Sequence, residues 1–432
     1  MASSIKNKGW TVTFSGTGIN LALGILYTWS IFKGAIRKSI ETGGEGGFKW
    51  DIAQLNDPYS VCCLVFAFMM ILAGKCQDRF GPRLTAIIGG ILVGLGFIWI
   101  SQTTGYVSWV IGFGVLAGTG IGFGYSAATP PALKWFPPAR TGLIAGLVVS
   151  GFGLASVYIA PLSEYLLSIW GLQNAMLFFG IAFPIVVCGL ATQLVNPPHG
   201  FSPENPVSSS PKAIDREDEA LKPVESVLTQ RDFKPSEMMK SPSFYIMWFI
   251  YFIGSGAGLM VISSVAGMAK KSMGEAAFVA VAILAIGNAA GRIIAGMLSD
   301  KIGRSLTMFI MLMFQAVLMF VAIPIVSSEN TYAGVLILLA TLIGFNYGTN
   351  LSLFPSFAKD LYGLKNFGIN YGILFTAWGV GGFVLSRVSQ MLQAAGKGSF
   401  TSSFVIAGIM LIIGASLTFT LKGFKTEYMA NK

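Results

Sequence analysis

Two short polar segments decide the fold: Gly74–Arg83 reads GKCQDRFGPR, and Gly296–Arg304 reads GMLSDKIGR. Each follows an apolar stretch and contains a glycine, an aspartate with a basic residue after it, a second glycine and a closing arginine. Asp78 and Asp300 lie 222 residues apart in a chain of 432 residues. A motif that returns after about half the chain indicates a duplicated unit.

The same offset relates a second pair of segments. Residues 122–125 read GFGY and residues 344–347 read GFNY, again 222 positions apart and inside apolar stretches. An even number of membrane helices in each copy gives both halves the same orientation, so the copies are predicted to be parallel repeats about an axis normal to the membrane. In proteins built this way, the ligand site lies near the midplane where the halves meet.

Composition places the chain in a lipid bilayer. Hydrophobic residues make up 53% of it and charged residues only 11%, whereas soluble domains carry roughly 25% charged residues. The outer surface must therefore face lipid. The basic residues behind the net charge of +10 are scattered over short loops, so they predict membrane topology rather than nucleic-acid binding.

Twelve apolar stretches approach the length of about 20 residues that a bilayer requires. The predicted spans are 10–32, 56–74, 84–101, 107–131, 141–166, 173–195, 243–268, 275–298, 306–326, 331–354, 367–390 and 401–421. Residues 196–241, rich in proline, serine and charge, predict a flexible cytoplasmic linker. The expected fold is an all-α membrane protein with two pseudo-symmetric six-helix bundles, 1–195 and 242–432.

Lysine and arginine in the loops predict the orientation. With both termini in the cytoplasm, the cytoplasmic loops and tails hold twenty of the 29 basic residues, and two, Arg292 and Arg387, lie within spans. The outer loops hold the other seven, namely Lys33, Arg37, Lys38, Lys49, Lys270, Lys271 and Lys397. We therefore expect an integral protein of the plasma (inner) membrane with both termini cytoplasmic.

Few residues are available for metal binding or covalent chemistry. The four cysteines, Cys62, Cys63, Cys76 and Cys188, show no CxxC spacing, and the only histidine is His199 in the linker. A zinc site or a histidine-based triad is therefore not expected. The sequence indicates no cofactor and no nucleophile–base pair, so we expect a protein that is not an enzyme.

The paired motif loops and the six-plus-six helices resemble the major facilitator superfamily. Shorter motifs resemble its oxalate/formate antiporter family, whose close relatives are the monocarboxylate (lactate) transporters. These motifs are KWFP at 134–137 with Arg140 and Gly142, GAGLMVIS at 256–263, LFPS at 353–356, and Asn288 with Arg292. The resemblance implies transport of small carboxylates, with an arginine of the eighth span holding the carboxylate.

Arg292 also stands out on physical grounds. An ionisable residue inside a membrane helix is costly and marks a functional site by default, and a guanidinium can bind a carboxylate through two parallel hydrogen bonds. The competing interpretation is an arginine paired with a buried acid or with backbone carbonyls. No aspartate or glutamate lies in the middle of a span, and Glu164 lies near the outer end of its own. The repeat offset places Met70 and Phe66 opposite Arg292 and Asn288, which predicts an apolar or aromatic wall.

Asn288 lies four residues before Arg292, so the two share one face of the eighth span. Its amide is predicted either to orient the guanidinium or to bind a second oxygen group of the substrate; a packing hydrogen bond between helices is the alternative. In many monocarboxylate transporters an aspartate occupies this position. Since this chain has an asparagine there, the sequence does not indicate which group would carry a proton.

Four aromatic residues complete the candidate site. Tyr125 and Tyr347 are related by the repeat and are predicted to face each other across the axis, although ordinary aromatic packing is the alternative. The resemblance adds Tyr27, and it places Trp378 where the oxalate transporter has a lysine. One cation suits a monoanion, because an unpaired second carboxylate would cost several kcal/mol.

The motif loops carry the predicted gating residues, which are Asp78, Arg79, Arg83, Asp300 and Arg304. They lie at the cytoplasmic ends of helices, where charges interact with helix termini and with one another. Glycines of the fifth span, including Gly142 and Gly146, are predicted to allow close helix crossings.

These features predict a secondary transporter of small monocarboxylates such as lactate or pyruvate, coupled to protons and working by alternating access. A carboxylate exchanger of the oxalate/formate type remains an alternative. So does a carboxylate sensor that binds without transporting, although the short tails and the linker show no signalling domain. The sequence does not give the oligomeric state, and a monomer is compatible with it.

Overall fold

The computed structural model describes residues 7–43, 46–198, 201, 203, 232–273, 277–327, 333–395 and 400–421. Throughout these ranges the secondary structure is helical, with short turns between helices and no strand. The helices are α1 (Gly9–Leu23), α2 (Trp29–Thr42), α3 (Asp57–Phe80), α4 (Pro82–Ser101), α5 (Tyr106–Trp109), α6 (Gly118–Lys134), α7 (Thr141–Ala191), α8 (Pro235–Met238), α9 (Pro242–Met273), α10 (Ala277–Ile302), α11 (Arg304–Ser327), α12 (Ala333–Tyr362), α13 (Phe367–Ala395) and α14 (Thr401–Leu417).

Several helices combine or divide to give the membrane spans. A 3-10 turn, Gly24–Thr28, joins α1 to α2, and a π-helical segment, Val110–Ala117, joins α5 to α6. Ten helical stretches are long and apolar enough to cross a membrane. One of them contains two spans, because Gly171 has a φ of 73° and breaks α7, and α14 adds a shorter apolar helix. The described residues thus account for the twelve predicted spans.

The first span is longer than the sequence predicted. Its helical stretch runs over Gly9–Thr42, so three basic residues that we had assigned to the outer loop lie on α2: Lys33, Arg37 and Lys38. Phe32 and Ile36 of this helix are buried, whereas Arg37 and Lys38 are exposed. Because one face of an amphipathic helix is polar, a sequence window that includes α2 has a low mean hydropathy. The hydropathy pattern therefore predicted an end of the span that is too early.

The tenth span also exceeds its prediction, since α12 continues past Pro355 to Tyr362. A proline inside a helix removes one backbone hydrogen bond and usually ends or kinks the helix. Here Phe354, Phe357 and Ala358 are all buried beside the proline. Their packing favours continued helix over the local preference to stop.

The final part of the predicted linker, 232–241, is ordered against the C-terminal half. The carboxylate of Asp232 accepts hydrogen bonds from the backbone amides of Leu364 and Lys365, each at 2.9 Å. Asn366 donates to the carbonyl of Phe233 at 3.0 Å. This part of the linker is therefore not the flexible chain we expected. Residues 204–231, with His199, lie outside the described residues.

Close backbone crossings join the two halves. A Cβ atom added to Gly74 of α3 would lie 2.1 Å from the carbonyl oxygen of Gly368 on α13. One added to Gly142 of α7 would lie 2.1 Å from the carbonyl oxygen of Gly296 on α10. Small residues let helix backbones touch in this way. The first crossing pairs α3 of the N-terminal half with α13 of the C-terminal half, and the second pairs α7 of the N-terminal half with α10 of the C-terminal half. The corresponding helices of the two repeats thus exchange places between the crossings, as a parallel repeat requires.

The Gly146→Val variant is expected to destabilise the protein. A Cβ at Gly146 would lie 2.4 Å from the carbonyl oxygen of Arg292, and overpacking of this kind costs about 1–3 kcal/mol. Thermal melting of purified protein in detergent should therefore show a lower midpoint. Gly189→Val, in the second span of α7, is the control, since no neighbouring atom lies within 4 Å of its added Cβ. Equal midpoints for both variants would contradict the tight crossing.

Candidate functional site

Arg292 lies on α10 at the junction of the two halves and is fully buried, with 0% of its surface exposed. Its Nε donates to Oδ1 of Asn288 at 2.9 Å, and its Nη1 donates to the backbone carbonyl of Val149 on α7. Its Nη2 has no hydrogen-bond partner among the described residues. One side of the guanidinium is thus held by the protein, while Nη2 remains available to a ligand.

The surroundings of Arg292 do not neutralise its charge. Within the part of the chain that the structure describes, its hydrogen-bond partners are the amide of Asn288 and a carbonyl, the Tyr27 hydroxyl lies close to the guanidinium, and no carboxylate forms an ion pair with it. Glu164 is exposed on α7. A buried charge without a counter-ion costs several kcal/mol, so a bound anion would stabilise this site.

Glycines on two neighbouring helices make room for this pair of polar side chains. A Cβ added to Gly153 of α7 would lie 3.3 Å from Nε of Arg292. One added to Gly348 of α12 would lie 2.8 Å from Oδ1 of Asn288 and 2.1 Å from its carbonyl oxygen. The glycine-rich segments of the sequence therefore position the site by keeping the adjacent backbones close.

Tyr347 links three spans through its hydroxyl group. The hydroxyls of Tyr27 and Tyr347 are 2.9 Å apart, and Nε1 of Trp378 donates to the Tyr347 oxygen at 2.8 Å. The ring of Tyr347 packs against α9 at Gly258, whose added Cβ would lie 2.8 Å from it. Tyr27, Tyr347 and Trp378 thus form one connected wall, in which the predicted residues meet.

Tyr125 lies in the same core, packed among aromatic rings. Its ring contacts those of Phe66, Phe152 and Phe375, with centroids 5.4–5.5 Å apart. The Tyr347 hydroxyl bonds to Tyr27 and Trp378. The side chain of Tyr125 is therefore enclosed by three phenylalanine rings.

The aromatic wall that the repeat offset predicted is present in the N-terminal half. Phe66 of α3 is 1% exposed, and its ring centroid lies 5.3 Å from that of Trp378 and 5.1 Å from that of Phe375. The wall thus packs against α13 of the other half. Phe66 also lies 5.9 Å from the ring of Phe152 on α7, the helix whose Val149 carbonyl accepts a hydrogen bond from Arg292.

Sequence reasoning missed two further tyrosines, Tyr251 on α9 and Tyr371 on α13. Both rings contact Phe375, at centroid distances of 6.0 and 5.8 Å. Neither has a tyrosine at the repeat-related position, where the chain carries Trp29 and Val149. Their hydroxyl-bearing side chains in otherwise apolar spans were the available signal.

At the ends of α3 and α10, each motif aspartate binds the first turn of a helix in the other half. Asp78 accepts hydrogen bonds from the backbone amides of Gly368 and Ile369 at 3.0 and 2.9 Å. Asp300 makes the same pair of bonds to the start of α7, at 2.8 and 2.9 Å. A carboxylate is favourable at a helix N-terminus. We call these two contacts the motif latch.

The Asp300 side of the motif latch carries additional charges. Arg304 donates to Asp300 at 2.6 Å and to Asp360 at 2.9 Å. Lys359, which is only 3% exposed, donates from Nζ to the hydroxyl of Thr141 at the start of α7. The sequence did not indicate Lys359, because the predicted tenth span ended before it.

The two basic residues of the first motif, Arg79 and Arg83, are not part of the motif latch. Both are exposed, and the guanidinium of Arg79 lies 5.2 Å from the ring centroid of Phe80. Neither forms a salt bridge within the described ranges. Of the five predicted gating residues, the structure therefore brings Asp78, Asp300 and Arg304 to the contact between the halves.

Comparison with known proteins identifies the family. The model of the Major Facilitator Superfamily matches residues 9–386 and 279–427. The chain is 28% identical over 392 residues to the uncharacterized MFS-type transporter YhjX of Escherichia coli, covering 88% of this chain and 87% of that one. It is 26% identical over 357 residues to the oxalate:formate antiporter of Oxalobacter formigenes, covering 82% and 77%. It is also 26% identical over 350 residues to human monocarboxylate transporter 11, covering 78% and 68%.

Solved structures agree with this assignment at the level of the fold. The E. coli fucose:proton symporter aligns with a TM-score of 0.63 at 13% identity, covering 94% of this chain and 98% of that one. The proton:xylose symporter XylE aligns with a TM-score of 0.68 at 15% identity, covering 96% of each. The chain belongs to the major facilitator superfamily, and it is an integral membrane transporter with that fold.

Proposed function

We propose that this transporter carries small monocarboxylates such as lactate or pyruvate, with Arg292 binding the carboxylate. The observation that carries the proposal is the buried guanidinium between the halves, whose Nη2 has no hydrogen-bond partner among the described residues. A carboxylate supplies both the counter-charge for the guanidinium and an acceptor for Nη2, since it is anionic and accepts charge-assisted hydrogen bonds from a guanidinium. The oxalate:formate antiporter and monocarboxylate transporter 11, both named for carboxylates, are similar over most of the chain.

The rest of the site suits a small substrate with one charge. Phe66, Phe152, Tyr347 and Trp378 are all buried around it and are neutral. A second carboxylate among these rings would lack a cation and would be destabilised by several kcal/mol. We therefore infer that monocarboxylates are bound better than dicarboxylates, with Asn288 holding the guanidinium in place.

Transport by alternating access follows from the motif latch. Asp78 and Asp300 each bind a helix of the opposite half, so the halves cannot separate at that end until these bonds break. We infer that the bundles 1–195 and 242–432 rock about the site, and that the motif latch holds the cytoplasmic end closed. From the excess of basic residues in the loops on that side, we also propose that both termini lie in the cytoplasm and that the membrane is the plasma membrane.

Proton coupling is part of the proposal because it makes net uptake electroneutral: one proton accompanies each anion. The second candidate is exchange of one carboxylate for another, which the 26% identity to an antiporter favours. Uptake of labelled lactate into proteoliposomes distinguishes the two. Entry into empty vesicles supports symport, whereas entry only into vesicles preloaded with a carboxylate supports exchange. No entry into either would overturn both candidates.

The Trp378→Lys variant is expected to change the charge selectivity of the site. It places a second cation near Arg292, so the preference should move from lactate towards oxalate by about tenfold or more, corresponding to at least 1.4 kcal/mol. Competition of each anion against labelled substrate measures this ratio. Trp378→Phe is the control, since it removes the bond to Tyr347 without adding charge. An unchanged ratio in the lysine variant would contradict the charge-matching argument.

A further inference from the structure

The end of the linker, residues 232–241, lies against the turn between α12 and α13. The backbone amide of Phe233 donates to the carbonyl of Tyr362 at 3.0 Å, and the two rings meet edge-on with centroids 5.6 Å apart. The carbonyl of Phe233 accepts hydrogen bonds from the side chains of Asn366 and Asn370, each at 3.0 Å. The segment is thus bound to both helices at the turn. We call it the linker strap.

The linker strap and the motif latch bind backbone amides that are close together in the chain. Oδ1 of Asp232 accepts hydrogen bonds from the amides of residues 364 and 365, each at 2.9 Å. Asp78 of the N-terminal half accepts from the amides of residues 368 and 369. Asp232 therefore holds the turn from which α13 presents its first amides to Asp78.

A lysine of the N-terminal half lies close to both carboxylates. Lys134, at the end of α6, is partly buried and within electrostatic range of Asp78 and Asp232. Two carboxylates that approach the start of one helix repel each other, and a cation near both offsets this repulsion. Lys134 also attracts the linker strap towards the half that carries Asp78.

The other side of the motif latch has a different source of support. Asp300 forms a salt bridge with Arg304, which also binds Asp360, and all three residues belong to the C-terminal half. Asp78 forms no salt bridge within the described ranges. The Asp78 side thus lacks an ion pair of this kind, and the linker strap is the element that fixes its partner helix.

We propose that Asp232 is a positioning residue of the gate, which holds the start of α13 where Asp78 binds it. This proposal rests on the proposed function, in which the motif latch closes one end of the transporter. The end of the linker is then part of the gate as well as a connection between the halves. Release of the linker strap weakens the contact with Asp78 and favours the state that is open at this end.

The test measures how far the halves separate at the end that carries the motif latch. Spin labels on Lys75→Cys and Lys301→Cys, which are exposed positions on α3 and α10, report the distance between the halves in liposomes. The four native cysteines are replaced by alanine in this protein. Asp232→Ala should raise the ratio of open to closed molecules about fivefold, the size expected when a carboxylate that caps backbone amides is lost.

A conservative variant separates the amide contacts from the charge. Asp232→Asn retains an oxygen for both amides and loses only the attraction to Lys134, so the ratio should rise about twofold at most. Melting midpoints of both Asp232 variants should stay close to that of the parent protein, because Asp232 is exposed. Lys240→Gln, exposed on the linker strap, is the control and should leave the ratio unchanged.

The double variant with Asp78→Ala shows whether Asp232 acts through the motif latch. If it does, Asp232→Ala should add less than about twofold to the opening that Asp78→Ala causes alone, whereas independent effects would multiply. Multiplied effects, or an Asp232→Ala variant as closed as the parent protein, would overturn the positioning role.

The remaining outcomes separate this inference from the function on which it rests. An Asp232→Asn variant as open as Asp232→Ala would show that charge alone matters, and it would overturn the positioning role while the motif latch stands. If Asp78→Ala itself leaves the ratio unchanged, the motif latch does not close this end, and the inference about Asp232 fails with it.

Discussion

Replacing Arg292 with glutamine is expected to abolish saturable lactate uptake. The glutamine keeps a polar side chain but removes the charge that would pair with the carboxylate, and breaking a buried ion pair costs about 3–5 kcal/mol. Each 1.4 kcal/mol corresponds to a factor of about ten, so kcat/KM should fall by roughly two to three orders of magnitude. Uptake of labelled lactate into proteoliposomes measures the effect.

The control for this variant is Arg387→Gln. Arg387 is exposed on α13 with its guanidinium 5.9 Å from the ring centroid of Phe383, so its loss should leave uptake close to the wild-type level. The Arg292 variant should melt no lower than the wild type, because it removes a buried charge that lacks a counter-ion, and the Arg387 variant should melt like the wild type; this separates a binding defect from misfolding. Normal saturable uptake by the Arg292 variant would rule out the proposed role of this arginine.

The second large effect is expected at the motif latch, where Asp300→Asn should reduce uptake at least tenfold while substrate binding persists. An asparagine presents one acceptor oxygen instead of two, and it loses the charge that favours a helix N-terminus, an interaction of about 0.3–2 kcal/mol. It also weakens the ion pair with Arg304. The state closed at the motif end is thereby destabilised relative to the other states.

Binding and transport are measured separately for this variant. Lactate should still raise the melting midpoint, because a ligand that binds only the folded state stabilises it, while the uptake rate falls. Asp78→Asn should have a smaller effect, since Asp78 forms no salt bridge within the described residues. Lys75→Gln, exposed on the same helix as Asp78, serves as the control. Wild-type uptake by both asparagine variants would show that the latch does not gate transport.

The sequence could indicate that Asn288 and Arg292 lie together, because helical periodicity and the cost of a buried charge are local arguments. Asn288 and Arg292 share one face of α10 and are joined by a hydrogen bond at 2.9 Å, which is one of the arrangements that the sequence left open. The repeat likewise placed Phe66 near the centre, where it packs against Trp378. Both features follow from spacing along the chain.

The partners of the tyrosines could not be predicted in this way. Repeat symmetry related Tyr125 to Tyr347, but the hydroxyl of Tyr347 bonds to Tyr27 of another span. Which hydroxyl lies within bonding distance depends on how helices of both halves pack, and a repeat offset does not contain that information. Tyr251 and Tyr371 were missed for the same reason.

Helix ends were predicted less well than helix positions. Hydropathy identified the spans, yet α2 extends to Thr42 and α12 extends beyond Pro355. In both cases buried side chains extend a helix into a region of charge or past a proline. The burial that decides this comes from neighbouring spans, so it is invisible in a sequence window.

Internal acidification tests the central claim most directly. Purified protein would be placed in liposomes that contain a pH-sensitive dye, and an inward lactate gradient would be imposed. The proposed function predicts saturable acidification with wild-type protein and none with Arg292→Gln. Lactate entry without acidification, or acidification that does not depend on Arg292, would contradict proton-coupled monocarboxylate transport at this site.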